Sequence, residues 1–183
     1  MTPNEQRMMQ VIDENREKVH KIAKKIWEFK EVGWEEFQSS ALLENALEKE
    51  GFEVQRGLVG KHPKFDQEID MPTAFKAVYK GKEGGPVIGL MLEYDALPNG
   101  HACGHNVHGS MSILAAMALA QHKELFQGTL YVVGTPAEET AGAKVGMAAQ
   151  GAFDGMDLAI MIHSWSGGSS IPDQDVLRLG SYD

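Results

Sequence analysis

Three short apolar runs constrain the fold of this chain more than any other feature. They cover residues 87–92, 130–133 and 158–162, and their continuous apolar character is typical of central strands buried on both faces. Helical patterns at 107–122 and around 142–150 separate them. This alternation predicts a three-layer α/β/α sandwich with a largely parallel, mixed central sheet.

The first half of the chain is less regular. Apolar residues recur at helical spacing in residues 4–30 and again in 36–49, which predicts two helices. Alternating apolar residues around 52–54 and 75–79 predict strands with one solvated face. We expect residues 57–72 to form a loop or irregular hairpin, and residues 80–86 to form a turn.

Composition limits the partners and the compartment. The 183 residues carry a net charge of -9 and no long run of Lys or Arg, which argues against nucleic acid and anionic membranes as partners. No signal peptide is visible at the start, and no apolar run approaches the roughly 18 residues of a membrane span. A single cysteine cannot form an internal disulfide, so a cytoplasmic location is expected.

Reactive residues follow each of the three apolar runs. Asp95 follows the first, the pair Glu138 and Glu139 follows the second, and His163 follows the third. In open α/β sheets, ligands bind beyond the carboxyl ends of the strands. The sequence therefore predicts that these side chains converge on one edge of the sheet, where a functional site would lie.

The segment 100–106, which reads GHACGHN, leaves the first of these strands and contains the only cysteine. Residues two apart in an extended segment point the same way, so Cys103 and His105 can face one metal ion, and His101 could join them. Glu138 and Glu139 are adjacent and point in different directions when extended. One can bind a metal while the other acts as a general base on a water molecule.

Each of these residues also has an ordinary structural explanation. A lone cysteine is often a small buried apolar group, a pair of glutamates is usually solvated, and His163 alone would suit a core histidine. His108 either faces the site or caps the following helix. The convergence of all these segments at one sheet edge is what favours a functional site.

Four segments in this order resemble the aminoacylase/carboxypeptidase-type metallohydrolases. They are 93–98 (EYDALP), 100–106 (GHACGHN), 136–139 (PAEE) and the run ending at His163, with 32–37 (VGWEEF) as a weaker fifth. The resemblance is greatest to the amidohydrolases that include hippurate, indole-acetyl-amino-acid and aminobenzoyl-glutamate hydrolases. Asn106, where many members have aspartate, favours the aminobenzoyl-glutamate and dipeptidase-like branch.

The resemblance implies a role for each site residue. Cys103, His105, Glu139 and His163 match the metal ligands, Glu138 matches the general base, and Asp95 matches the carboxylate that supports the site. It implies one or two divalent ions, zinc or manganese first, with cobalt or nickel as alternatives. It also implies hydrolysis of N-acyl amino acids or dipeptide-like amides by an activated water.

Members of this family are longer than 183 residues. On this resemblance, residues 1–183 would form the N-terminal portion of a catalytic domain, without the inserted dimerisation or lid domain and the C-terminal return that carries a further histidine ligand. An incomplete sheet would expose an edge, so a homo-oligomer is one expectation.

Two other functions remain open from the sequence. The chain could be a non-catalytic metal-binding remnant, or a cysteine hydrolase that uses Cys103 as the nucleophile with His105 or His163 as the base. The paired carboxylates have no obvious task in a cysteine hydrolase, and Cys103 and His105 are better placed as joint metal ligands. Both points favour the ligand role of Cys103 over the nucleophile.

Overall fold

A computed structural model describes residues 1–61, 67–140 and 142–164. Helices α1 (Pro3–Phe29), α2 (Phe37–Lys49), α3 (His105–Gln121) and α4 (Ala143–Ala149) surround a mixed sheet. Its strands are β1 (Glu53–Lys61), β2 (Glu68–Lys80), β3 (Lys82–Leu92), β4 (Gln127–Gly134) and β5 (Leu158–Met161), in the order β1-β2-β4-β3-β5. A short 3₁₀ turn, Lys123–Leu125, precedes β4.

The three strands expected from the apolar runs are parallel to one another. β3 pairs in parallel with β4 on one side and with β5 on the other, whereas β2 runs antiparallel to both β1 and β4. Leu92 is paired with Gly134, and Met91 with Met161, so the three strands end at nearly the same level. The sheet is therefore mixed as expected, and the segments that follow these strands leave from one edge.

Helices cover both faces of the sheet. On one face, α1, α2 and α3 pack over the larger apolar cluster, which contains Ile26, Leu47 and Ile113. On the other face, α4 packs over a smaller cluster that contains Met71 and Met147. This is the predicted three-layer arrangement.

The helix ends follow the sequence signals closely. Thr2 caps α1 through a capping box with Glu5, and Pro3 occupies the first turn, where its missing N–H costs nothing. Gly104 has a φ of 80° and is the residue before α3, so the helix begins at His105 rather than at 107.

Among the described residues, no helix combines the length and the apolar character needed to cross a membrane.

The hairpin of β1 and β2 is more regular than its composition predicts. Residues 57–61 and 68–72 are not loop but continue the antiparallel ladder, with Leu58 opposite Met71. The register shift between Arg56 and Leu58 is an irregularity of β2, where residues 72–74 lie opposite Gly57 alone, and Gly57 has a φ of 65°. Residues 82–86 likewise belong to β3 rather than to a turn, with a register shift before Val87.

β5 differs from the expectation of a buried strand. All four of its residues are exposed, because within the described part of the chain β5 pairs with β3 alone and no helix covers its faces. Apolar composition correctly predicts a strand here, but burial depends on neighbours that composition does not identify.

Candidate metal centre

Segments that follow β3, β4 and β5 meet the start of α3 at one edge of the sheet. They bring together two groups of metal-binding side chains, in which the ligand atoms lie within 4.8 Å of one another. The first group contains Glu93, His105, His108 and His163, and the second contains His105, Glu138 and Glu139. His105 belongs to both and lies at the centre of the site.

Asp95 fixes the orientation of His105. Its Oδ1 atom lies 2.8 Å from His105 Nδ1, and its Oδ2 atom accepts a hydrogen bond of 2.9 Å from the backbone N–H of Glu139. Burial opposes ionisation of Asp95, but these hydrogen bonds outweigh it and lower the pKa of the carboxyl group. An ionised Asp95 accepts a hydrogen bond from Nδ1–H, so Nε2 is the ring nitrogen that faces the site. Burial opposes protonation of His105, but Asp95, Glu93 and Glu139 outweigh it and raise the pKa of the ring in the metal-free chain.

Carboxylate oxygens surround this Nε2 atom. Glu93 Oε2 lies 3.4 Å from it, Glu138 Oε2 lies 3.8 Å and Glu139 Oε1 lies 3.9 Å. His105 Nε2 and Glu93 Oε2 are both buried and have no hydrogen-bond partner among the described residues. Donor atoms bound to one tetrahedral zinc ion at about 2.1 Å lie roughly 3.4 Å apart, so this spacing fits a divalent metal.

Glu93 is a site residue that the sequence reasoning missed. Lys144 on α4 forms an ion pair with its Oε1 atom, while Oε2 faces His105 and lies 3.9 Å from His163 Nε2. Its position directly after an apolar strand was the available signal, since the same signal identified Asp95 two residues later.

His108 faces the site, which resolves the alternative left open by the sequence. Burial, with His163 and His105 nearby, lowers its pKa to about 4, so the imidazole is neutral at physiological pH. Its Nε2 atom accepts the backbone N–H of Ser164 at 2.6 Å, which places the proton of the neutral ring on Nδ1. Its Nδ1 atom lies 3.8 Å from Glu93 Oε2, and neither atom has a hydrogen-bond partner among the described residues.

Cys103 lies beside the second group rather than within either. Its thiol forms a hydrogen bond with the carboxylate of Glu139, which, with partial burial and the nearby acidic groups, raises the pKa of Cys103 to about 11. A thiol with this pKa is protonated at neutral pH in the metal-free chain and is a poor nucleophile. His101 does not join the site, since its Nε2 atom lies 2.9 Å from the carbonyl oxygen of Ile26 on α1.

The sequence matches the profile of peptidase family M20/M25/M40 over residues 89–180. This chain belongs to that family. It is 36% identical over 172 residues to one component of the p-aminobenzoyl-glutamate hydrolase of Escherichia coli, covering 83% of the chain and 33% of the relative. It is 33% identical over 173 residues to the Xaa-Arg dipeptidase of Mus musculus, covering 88% of the chain and 38% of the relative.

Solved structures show the same fold. A dinuclear metal-binding peptidase of the M20 family from Bacillus subtilis shares 28% identity, with a TM-score of 0.65 over 78% of this chain and 41% of its own. A putative aminohydrolase from methicillin-resistant Staphylococcus aureus shares 23% identity, with a TM-score of 0.67 over 86% and 42% of the two chains. The chain thus spans about a third to two fifths of the length of the relatives it matches.

Proposed function

We propose that this chain supplies the metal-binding residues of a metal-dependent amidohydrolase that cleaves N-acyl amino acids or dipeptide-like amides. The observation that carries the proposal is the buried, unpartnered Nε2 atom of His105, which faces three carboxylates. Several carboxylates around one imidazole nitrogen are stabilised by a cation between them, which is a proton in the metal-free chain and a divalent ion when a metal binds. The named relatives support the substrate class, because their names describe hydrolysis of amino-acid conjugates or dipeptides.

Cys103, His105, Glu139 and His163 are the proposed metal ligands, and Glu93 Oε2 is an added carboxylate ligand. The two groups share His105, an arrangement that suits one or two divalent ions, with zinc or manganese first. When bound, such an ion supplies a Lewis acid for the amide carbonyl and lowers the pKa of a water molecule.

Glu138 is the proposed general base. It is the most exposed carboxylate of the second group, at 39% of its side chain, and its Oε2 atom lies 3.8 Å from His105 Nε2. It can therefore reach both solvent and the reacting atoms, take a proton from the attacking water and pass it to the leaving amine. Asp95 keeps His105 in the required tautomer throughout.

The first prediction tests this division of roles. We expect the zinc- or manganese-loaded chain to hydrolyse members of a panel of N-acyl amino acids and dipeptides. Glu138→Gln keeps the shape but removes the base, so we expect kcat to fall by at least about 100-fold while metal content is unchanged. Steady-state kinetics and elemental analysis on the same samples measure both quantities.

Other outcomes distinguish the alternatives. Bound metal without turnover on any substrate would favour the non-catalytic remnant, and turnover that survives Glu138→Gln would place the base elsewhere. Activity in chelated, metal-free protein that is abolished by thiol alkylation would favour the cysteine hydrolase. The raised pKa of Cys103, at about 11, argues against the nucleophile, because the thiol stays protonated at neutral pH.

A further inference from the structure

Glu36 is a fully buried carboxylate that has no part in the metal centre described above. It directly precedes α2, and its side chain is 0% exposed. Its Oε1 atom accepts the backbone N–H of Ala137 at 2.7 Å, and its Oε2 atom accepts the hydroxyl of Thr73 at 2.9 Å. Burial raises the pKa of Glu36 despite these hydrogen bonds, so retaining a carboxyl group here has a cost in stability.

Ala137, which Glu36 holds, immediately precedes the two glutamates of the site. It is buried and adopts a left-handed φ of 55°, a conformation that is unfavourable for a non-glycine residue. Its carbonyl oxygen accepts the backbone N–H of Gly142 at 2.8 Å. With both sides of Ala137 fixed, the direction in which Glu138 and Glu139 leave β4 is fixed as well.

The segment around Glu36 also contacts the loop that carries Asp95. The backbone N–H of Ala96 donates to the carbonyl of Glu31 at 2.7 Å, and Val32 forms a parallel bridge with Ala96. Gly33 lies so close to the other loop that a Cβ atom there would be 2.9 Å from Ala137 Cα. Residues 31–36 thus hold the two loops on which the carboxylates of the site depend.

We propose that Glu36 is a positioning residue that sets the Glu138–Glu139 loop relative to His105. The predicted effect of Glu36 on metal binding rests on the proposed function, whereas its effect on the loop does not. Its physical basis is separate: the hydrogen bond to Ala137 stabilises a strained turn, and the bond from Glu139 N–H to Asp95 holds the far side of the same loop. Without Glu36, the turn relaxes and the glutamates lose their alignment with the histidine.

Four variants test this. Glu36→Leu removes the acceptor and keeps the volume, whereas Glu36→Gln keeps an oxygen for Ala137 and should rescue. Gly33→Ala displaces the same loop by contact and covers the case in which Glu36→Leu fails to fold. The matched control is Glu44→Leu, because Glu44 is also a buried carboxylate of α2 but pairs with Arg56 away from the site.

Two readouts are needed on each purified chain. The first is the Kd for Co²⁺, whose visible absorption reports ligand geometry. We expect Kd to rise about 10-fold or more in Glu36→Leu and Gly33→Ala, to stay within about threefold in Glu36→Gln, and not to change in Glu44→Leu. The second is hydrogen exchange of the Glu139 amide in metal-free protein, which should accelerate in Glu36→Leu while the Val132 amide on β4 does not.

The two readouts separate the failure of this proposal from the failure of the proposed function. If the wild-type chain bound no Co²⁺, the proposed function would fail, and exchange at Glu139 would still decide the role of Glu36. The positioning role would be overturned by an unchanged Glu139 exchange rate in Glu36→Leu. It would also be overturned if Kd changed equally in Glu36→Leu and Glu44→Leu.

Discussion

The ring nitrogen that Asp95 leaves free determines what His105 can do. Asp95 accepts from Nδ1–H, so Nε2 is the nitrogen available to a proton or a metal ion, and the nearest carboxylate oxygen to it is Glu93 Oε2 at 3.4 Å. A carboxylate that supports a histidine in this way is a common feature of metal sites, since it fixes the ring and raises its basicity. The geometry at this one residue therefore connects the fold to metal chemistry.

Glu93 provides the second prediction. In Glu93→Gln, the amide oxygen can still accept from Lys144, but the amide nitrogen that replaces Oε2 has no lone pair to offer a metal. We expect zinc affinity to fall by at least about tenfold, with the melting temperature of the metal-free protein little changed. Isothermal titration of both proteins with zinc measures this, and Glu44→Gln is the control for loss of a buried carboxylate. Equal affinities in Glu93→Gln and wild type would exclude Glu93 as a ligand.

At the scale of single elements, the turn into α3 separates Cys103 from His105. Gly104 has a φ of 80°, and a Cβ atom there would lie 2.6 Å from Ser164 Oγ. The turn lets Cys103 remain outside the helix beside Glu139 while His105 begins it. The two residues therefore do not share the extended segment that their spacing suggested, because Cys103 lies in a turn and His105 is the first residue of α3.

Gly104→Ala is the third prediction. A left-handed alanine costs about 1 kcal/mol or more, and the added contact with Ser164 shifts the segment that follows β5. Gly155 is the matched control, because its φ is 78° and no atom lies within 4 Å of its would-be Cβ. Both alanine variants should lose stability in urea denaturation, but only Gly104→Ala should weaken zinc binding. Similar zinc affinities in the two variants would show that the turn does not position the ligands.

Periodicity predicts the elements well where burial and pattern coincide. Helix α1 and strands β3 and β4 can be predicted from the spacing of their apolar residues, because one face or both faces of each element are buried. The pairing of β1 with β2 beyond Gly57 could not be predicted, since polar strand residues have the composition of a loop until their pairing partners are known. The exposure of β5 escapes prediction as well, because it depends on neighbours rather than on the composition of the strand.

At the scale of the whole molecule, the site joins segments that are far apart in sequence. The parallel order of β3, β4 and β5 brings Asp95, Glu139 and His163 to one edge, as the rule for open α/β sheets predicted. The rule gives convergence but not the individual contacts. It applies to Glu93 as much as to Asp95 and does not exclude His101, because the contacts of these residues depend on side-chain directions after β3 and before α3. Nor did it identify Glu36, which acts through hydrogen bonds to the backbone of a distant loop.

A metal ion bound by these segments would stabilise the fold that brings them together. The most direct test is elemental analysis of the purified chain after reconstitution with zinc, combined with its melting temperature. Cys103→Ala, His105→Ala and Glu139→Ala are the test variants, and Glu124→Ala, exposed and remote, is the control. We predict at least one ion per wild-type chain and a higher melting temperature with zinc, with both reduced in the three test variants alone. Wild-type protein that holds no metal after reconstitution, or variants that all retain it, would contradict the assignment of this site.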